Sequence, residues 1–188
     1  MSILMRATEV AKRPVVTLLG EDVAQIKDIV YDGNGGHVAG FTLAGRGMFA
    51  GPLKTALGWE SVHGLGPDAV MIASEDVLMA REAVVDRASR TPGGGDVLGS
   101  RVLTETGTDL GKVVDVILEV GSELDVVGYE VDPPEGKKVF LPLPDTLAVS
   151  GEQLIVPDAA REFVTDDLAG FGAAVTAYRA RFEGKASP

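Results

Sequence analysis

The chain has 188 residues, 45% of them hydrophobic and 24% charged, enough apolar material for one medium core or two small ones. A net charge of −11 repels a phosphate backbone, which argues against direct nucleic-acid binding and leaves a basic protein surface as a matching partner. The absence of cysteine excludes disulfides, thiol catalysis and thiolate metal sites, and predicts a reducing, cytoplasmic setting.

Residues 1–13, MSILMRATEVAKR, hold too short an apolar run for a signal peptide. Residues 168–178 are apolar and uncharged but fall well short of the ~20 that a spanning helix needs. Residues 5–11 read as a lead-in with one helical turn. Residues 14–19 read as a strand of β-branched and apolar side chains, closed by a turn at Gly20-Glu21-Asp22. Residues 24–31 follow as a second strand, whose alternation puts Ile26, Asp28 and Val30 on one face and Lys27, Ile29 and Tyr31 on the other. Apolar side chains on both faces imply that both are covered, one by a barrel interior and the other by a helix, a second barrel or a partner. Asp32-Gly33-Asn34-Gly35-Gly36 is a turn; its D-x-N-x start resembles a calcium loop, but the twelfth position is Leu43 where that loop needs glutamate. Residues 38–43 return as a strand, and residues 44–58, AGRGMFAGPLKTALG, read as a long glycine-rich loop. Residues 69–73 close the first set.

Ser74-Glu75-Asp76 has the form of a helix N-cap and predicts a linking helix to about Asp86. Residues 90–96, RTPGGGD, are the linker. The first pattern then recurs. Asp22 and Asp28 match Asp109 and Asp115 at a constant spacing of 87 positions, as do Gly20 with Gly107, Thr17 with Thr104 and Val15 with Val102. Gly40 matches Gly128 after one extra residue in the turn. A repeat of this length marks a duplicated small domain rather than a solenoid. The second copy runs on through 126–131, the turn 132–136 and a strand at 138–143, and closes at 154–156. Thr165-Asp166-Asp167 caps a last helix to about Phe182, with Leu168, Phe171, Val175, Tyr178 and Phe182 on one stripe and a tail after it. The resulting division is 1–80 and 97–158 for the two barrels, 81–96 for the linker, and 159–188 for the C-terminal helix and tail.

Gly107, Asp109, Gly111, Lys112, Val113, Asp115, Gly128, Leu141, Pro142, Leu143 and Asp145 together resemble the PRC-barrel family. This small β-barrel occurs in the cytoplasmic part of the photosynthetic reaction-centre H subunit and the C-terminal half of the ribosome maturation factor RimM. The first copy keeps Gly20, Asp22, Asp28 and Gly40 but lacks the Leu-Pro-Leu segment. The resemblance implies a mainly β chain of two tandem PRC-type barrels, and a non-catalytic module that docks onto proteins or larger assemblies.

No residue set argues for chemistry. His37 and His63 flank a turn and a closing strand, and no metal or cofactor is expected. Asp28 and Asp115 are read as structural, holding turn N–H groups or a lysine. The unrepeated stretch Arg46, Met48, Phe49, Leu53, Lys54, with Trp59 nearby in sequence, is the first candidate partner-binding surface. The helix stripe with Phe171 and Tyr178 is the second, its alternative being to pack on its own barrels. The expected function is a cytoplasmic adaptor for a protein partner, with self-association also compatible. Alternatives are a small-ligand sensor using Asp28, Asp115, Arg46 and His63 in a cleft between barrels, or a RimM-like ribosome-assembly factor.

Overall fold

A computed structural model describes residues 3–32, 36–87, 97–143, 148–150 and 153–183. The linker 90–96, the turn residues Gly33, Asn34 and Gly35, the Pro144-Asp145 pair and the tail from 184 lie outside the described residues. The strands in chain order are β1 (Ile3–Arg6), β2 (Pro14–Thr17), β3 (Asp22–Tyr31), β4 (Val38–Ala44), β5 (Pro52–Gly58), β6 (Val62–Leu65), β7 (Val70–Ile72) and β8 (Met79–Ala80) in the first part. Then follow β9 (Arg101–Thr104), β10 (Asp109–Val120), β11 (Leu124–Asp132), β12 (Val139–Pro142), β13 (Ala148–Ser150) and β14 (Gln153–Val156). Among the described residues the α-helices are α1 (Ala7–Val10), α2 (Arg81–Val85) and α3 (Leu168–Glu183). It is mainly β, and among the described residues no helix is long and apolar enough to cross a membrane.

The chain divides into two compact units. The N-terminal barrel unit comprises Ala7–Gly93 and Val120–Asp125; the C-terminal barrel unit comprises Met1–Arg6, Gly94–Glu119 and Val126–Pro188. Each holds one sheet curled into a half-barrel. In the first the order is β6-β7-β2-β3-β4-β5-β8; in the second it is β12-β11-β10-β9-β14-β13, with β1 added beside β10. Read from the opposite edge, β13-β14-β9-β10-β11-β12 repeats β6-β7-β2-β3-β4-β5, with β8 and β1 outside the match. Both copies close with a parallel pair, Val15 beside Val70 in one and Val102 beside Leu154 in the other.

The duplication persists at the level of single bonds. In the first turn the Glu21 N–H donates to Thr17 Oγ1 at 3.1 Å; in its copy the Thr108 N–H donates to Thr104 Oγ1 at 3.0 Å. Gly20 and Gly107 take the left-handed backbone that this turn requires, with φ of 89° and 88°. Each copy then carries a bulge in the same place, Asp22 facing Val16 and Ala24 facing Val15, as Asp109 faces Leu103 and Gly111 faces Val102.

The second covered face of each sheet meets a short-range helix. In the N-terminal unit Val30, Ala39 and Ala56 pack with Val84 of α2; in the C-terminal unit the equivalent positions Ile117, Val127 and Phe140 pack with Phe171 and Val175 of α3. The smaller triplet suits the five-residue α2, the larger one the sixteen-residue α3. Asp167 caps α3 by accepting the Gly170 N–H.

Several expectations are corrected. The 74–86 helix is absent: Glu75–Val77 is a 3-10 turn, Met79–Ala80 is strand β8, and only Arg81–Val85 is α-helical. Ser74 has extended backbone and makes no side-chain cap, and pairing of Met79 and Ala80 with β5 takes the next residues out of a helix. The resulting α2 covers its own barrel, with Val84 fully buried. Half of the 44–58 loop is strand β5, where Gly58 faces Gly40 as Pro142 faces Gly128, so this copy has a fourth strand without the Leu-Pro-Leu text. The alternation in β3 breaks at Lys27, where the register shifts and leaves Asp28 exposed between buried Ile26 and Val30. The lead-in read at 5–11 holds the end of strand β1 (Ile3–Arg6) and the helical turn α1, and the short strands β6 and β13 form edges of the two sheets.

Candidate functional site: the apolar end of the N-terminal barrel

Because β2, β3, β4 and β5 are successive antiparallel neighbours, the β2–β3 and β4–β5 connections emerge at the same end of the sheet. Of the seven large apolar side chains exposed among the described residues, four stand there: Leu18, Leu19, Met48 and Phe49. Met48 and Phe49 are 92% and 96% exposed, nearly the values of a free chain. Such concentration of apolar surface at one end is what a docking site requires, and scattered single residues would not be.

The tips are held from beneath. Gly47, at φ 102°, turns the loop; its carbonyl accepts the Ala50 N–H at 3.2 Å, and the Gly45 N–H donates to the Gly51 carbonyl at 3.1 Å. Gln25 of β3 donates its amide to the Gly45 carbonyl at 3.3 Å. Arg46 pairs with Asp22 at 3.2 Å, tying the loop to the start of β3 beside the Leu18–Leu19 turn. The Leu18 N–H in turn donates to the Ile72 carbonyl at 2.9 Å. A loop with this much backbone closure presents its apolar tips without first having to order them.

The C-terminal barrel shows what the same end looks like in polar form. Leu18 and Leu19 correspond to Glu105 and Thr106, and the counterpart of the β4–β5 connection is Pro133-Pro134-Glu135-Gly136-Lys137-Lys138, whose last five residues are exposed. There Asp109 takes Arg101 from the neighbouring strand at 2.7 Å, where Asp22 takes Arg46 from the loop. The Arg101 guanidinium, with the Gly111 N–H on the other oxygen, holds the Asp109 carboxyl below its usual range.

The residues singled out from the sequence separate. Arg46, Met48 and Phe49 share the loop; Leu53 and Lys54 lie at the start of β5, half-buried and exposed. Trp59 is not with them. It follows β5 at its far end, roughly 20 Å along the strand, edge-on to Phe41 with 6.5 Å between centroids, its indole N–H donating to the Ser122 carbonyl at 3.1 Å. Phe171 and Tyr178 are buried in the chain's own core, against Phe140 and Phe163 respectively, so the helix stripe offers no free face there. The two strand aspartates also differ: Asp28 is exposed and accepts the Thr42 hydroxyl at 3.2 Å, whereas Asp115 is buried and accepts the Val116 N–H at 2.8 Å. His63 lies exposed on β6. The leucines of the first turn escaped the sequence reading, although their alignment with Glu105 and Thr106 is the signal that finds them.

Two copies of one small half-barrel, each with the same strand order, bulge and turn, define a tandem barrel protein. The model of the PRC-barrel domain matches residues 3–78 and 93–161, and the chain belongs to the PRC-barrel family. Comparison with curated proteins gives no match.

Proposed function

We propose that this chain is a non-catalytic interaction module, and that it docks a protein partner through Leu18, Leu19, Met48 and Phe49 at the end of its N-terminal barrel. The carrying observation is the contrast between copies: the same end of the fold is apolar and exposed in one and polar in the other. Duplicated domains that keep their frame and differ at their tips differ where contact with other molecules is made. The net charge of −11 favours a partner with a basic rim around an apolar pocket, and disfavours nucleic acid or an anionic lipid surface. The lack of cysteine suits a cytoplasmic setting.

The test is a photo-reactive amino acid placed at position 49 and, in a second variant, at position 135 of the equivalent polar turn. The expected result is a discrete adduct with another polypeptide at 49, absent at 135 and lost when Leu19→Asp is added. The purified partner, identified from the adduct, should then bind Phe49→Asp at least ~10-fold more weakly than the native chain. Adducts only with a second copy of the chain, only with lipid, or none at 49 would overturn the proposal.

A further inference from the structure

We propose that His37, Glu123 and Asp125 form a binding site for a divalent transition-metal cation of the zinc type. The site lies at the other end of the N-terminal barrel unit and does not depend on the docking reading. His37 stands at the close of the β3–β4 connection, and the two carboxylates stand on the 120–125 segment of the same unit.

The backbone brings the three residues together before their charges act. The His37 carbonyl accepts the Asp32 N–H at 2.7 Å, and His37 forms an antiparallel bridge with Asp125. The Gly121 N–H donates to the Glu123 carbonyl at 2.9 Å, the Trp59 indole holds Ser122, and Leu124 is fully buried between the two acids. On this frame Nδ1 of His37 faces Glu123 Oε2 at 3.1 Å and also contacts Asp125 Oδ1. All three ligand atoms lie within 4.8 Å of one another. A tetrahedral ion with ligands at ~2.0–2.2 Å has edges of about 3.4 Å, so small outward movements of three exposed or half-exposed side chains open a site.

Charge supplies the second argument. Among the described residues His37 is the sole basic side chain paired with either carboxylate. One imidazole neutralises at most one of two negative charges, and only when protonated. A divalent ion takes the imidazole lone pair and both carboxylates at once, with water in the remaining positions. One nitrogen and two oxygens are a donor set that suits zinc, nickel or cobalt better than calcium or magnesium, which prefer oxygen alone.

The experiment is titration of the tag-free, full-length chain with Zn²⁺ by calorimetry, and with Co²⁺ by visible absorption. One equivalent is expected, with Zn²⁺ bound more tightly than Ca²⁺ and with cobalt d–d bands of a site carrying an imidazole. His37→Ala and the near-isosteric Asp125→Asn should each weaken binding roughly tenfold or more, and His63→Ala should leave it unchanged. Trp59, the lone tryptophan, should report loading through quenching by Co²⁺ that is lost in Asp125→Asn. No binding at ~100 μM metal, binding unchanged in Asp125→Asn, or a preference for Ca²⁺ would overturn the assignment. Should His37→Ala fail to fold by circular dichroism, Asp125→Asn decides the question alone.

Discussion

Gly40 and Gly128 occupy the same step of the two barrels, and each is pressed against a carbonyl of the next strand and a side chain of the covering helix. A Cβ at Gly40 would come within 2.2 Å of the Leu57 oxygen and 2.9 Å of Val84. At Gly128 it would come within 2.3 Å of the Leu141 oxygen and 2.5 Å of Phe171. Alanine at either site should therefore cost about 3 kcal/mol or more, since backbone on the facing strand cannot yield as a side-chain end can. Gly51→Ala, with nothing within 4 Å, should stay within ~0.5 kcal/mol. Urea unfolding of the three variants checks the ranking; equal midpoints would contradict the close approach.

The two groups of apolar candidates should separate in the same assay. Phe171→Ala removes a fully buried ring from the cluster with Ile117, Val127 and Phe140 and should cost about 3–5 kcal/mol. Phe49→Ala removes an exposed ring and should change stability by less than ~0.5 kcal/mol. A large loss for Phe49→Ala would mean that the tip packs on its own barrel.

Tyr129 gives the fold a measurable alkaline limit. Burial pushes its phenol up to about 12 from the ordinary 10.0, because the phenolate would have to form away from water. The folded chain thus holds this proton more tightly than the unfolded one. The stabilisation is fully present below pH ~10 and is lost as pH rises through ~12, on the order of 2–3 kcal/mol for two pH units. Tyr129→Phe should flatten the fall in stability between those values, measured as urea midpoint against pH.

Arg6 and Glu130 form the other informative pair. The guanidinium donates to both carboxylate oxygens, at 2.9 and 3.2 Å, and lies 5.4 Å from the Phe140 ring centre. Arg6→Ala leaves a carboxylate whose side chain is only 10% exposed without this partner, and should cost roughly 2–4 kcal/mol. Arg6→Ala combined with Glu130→Gln should recover part of the loss. Failure to recover any would place the effect in packing on Phe140 rather than in charge.

Much of this architecture is legible along the chain because its determinants are local. Thr17 and Thr104, Gly20 and Gly107, Asp22 and Asp109 each act within a five-residue turn or a bulge, so their recurrence carries the geometry with it. α3 announces itself through a stripe of large apolar residues and an aspartate cap. β5 hides because glycine and proline at 51–52 imitate a loop, and its strand character comes from pairing with β4 and β8 rather than from its own residues. The Ser74-Glu75-Asp76 cap misleads for the converse reason: a local helix signal is overridden when Met79 and Ala80 find a strand to pair with. The His37 cluster is the least readable, since His37 stands more than eighty positions from Glu123 and Asp125 and meets them through a backbone bridge.

The assignment of Val120–Asp125 to one unit and of Met1–Arg6 to the other has a consequence for anyone wishing to dissect the protein. Severing the gene at the glycine-rich connection would not release two self-sufficient domains. The leading fragment would lack the piece bearing Leu124, and the trailing fragment the strand bearing Arg6. Each barrel unit draws one segment from the other half of the sequence.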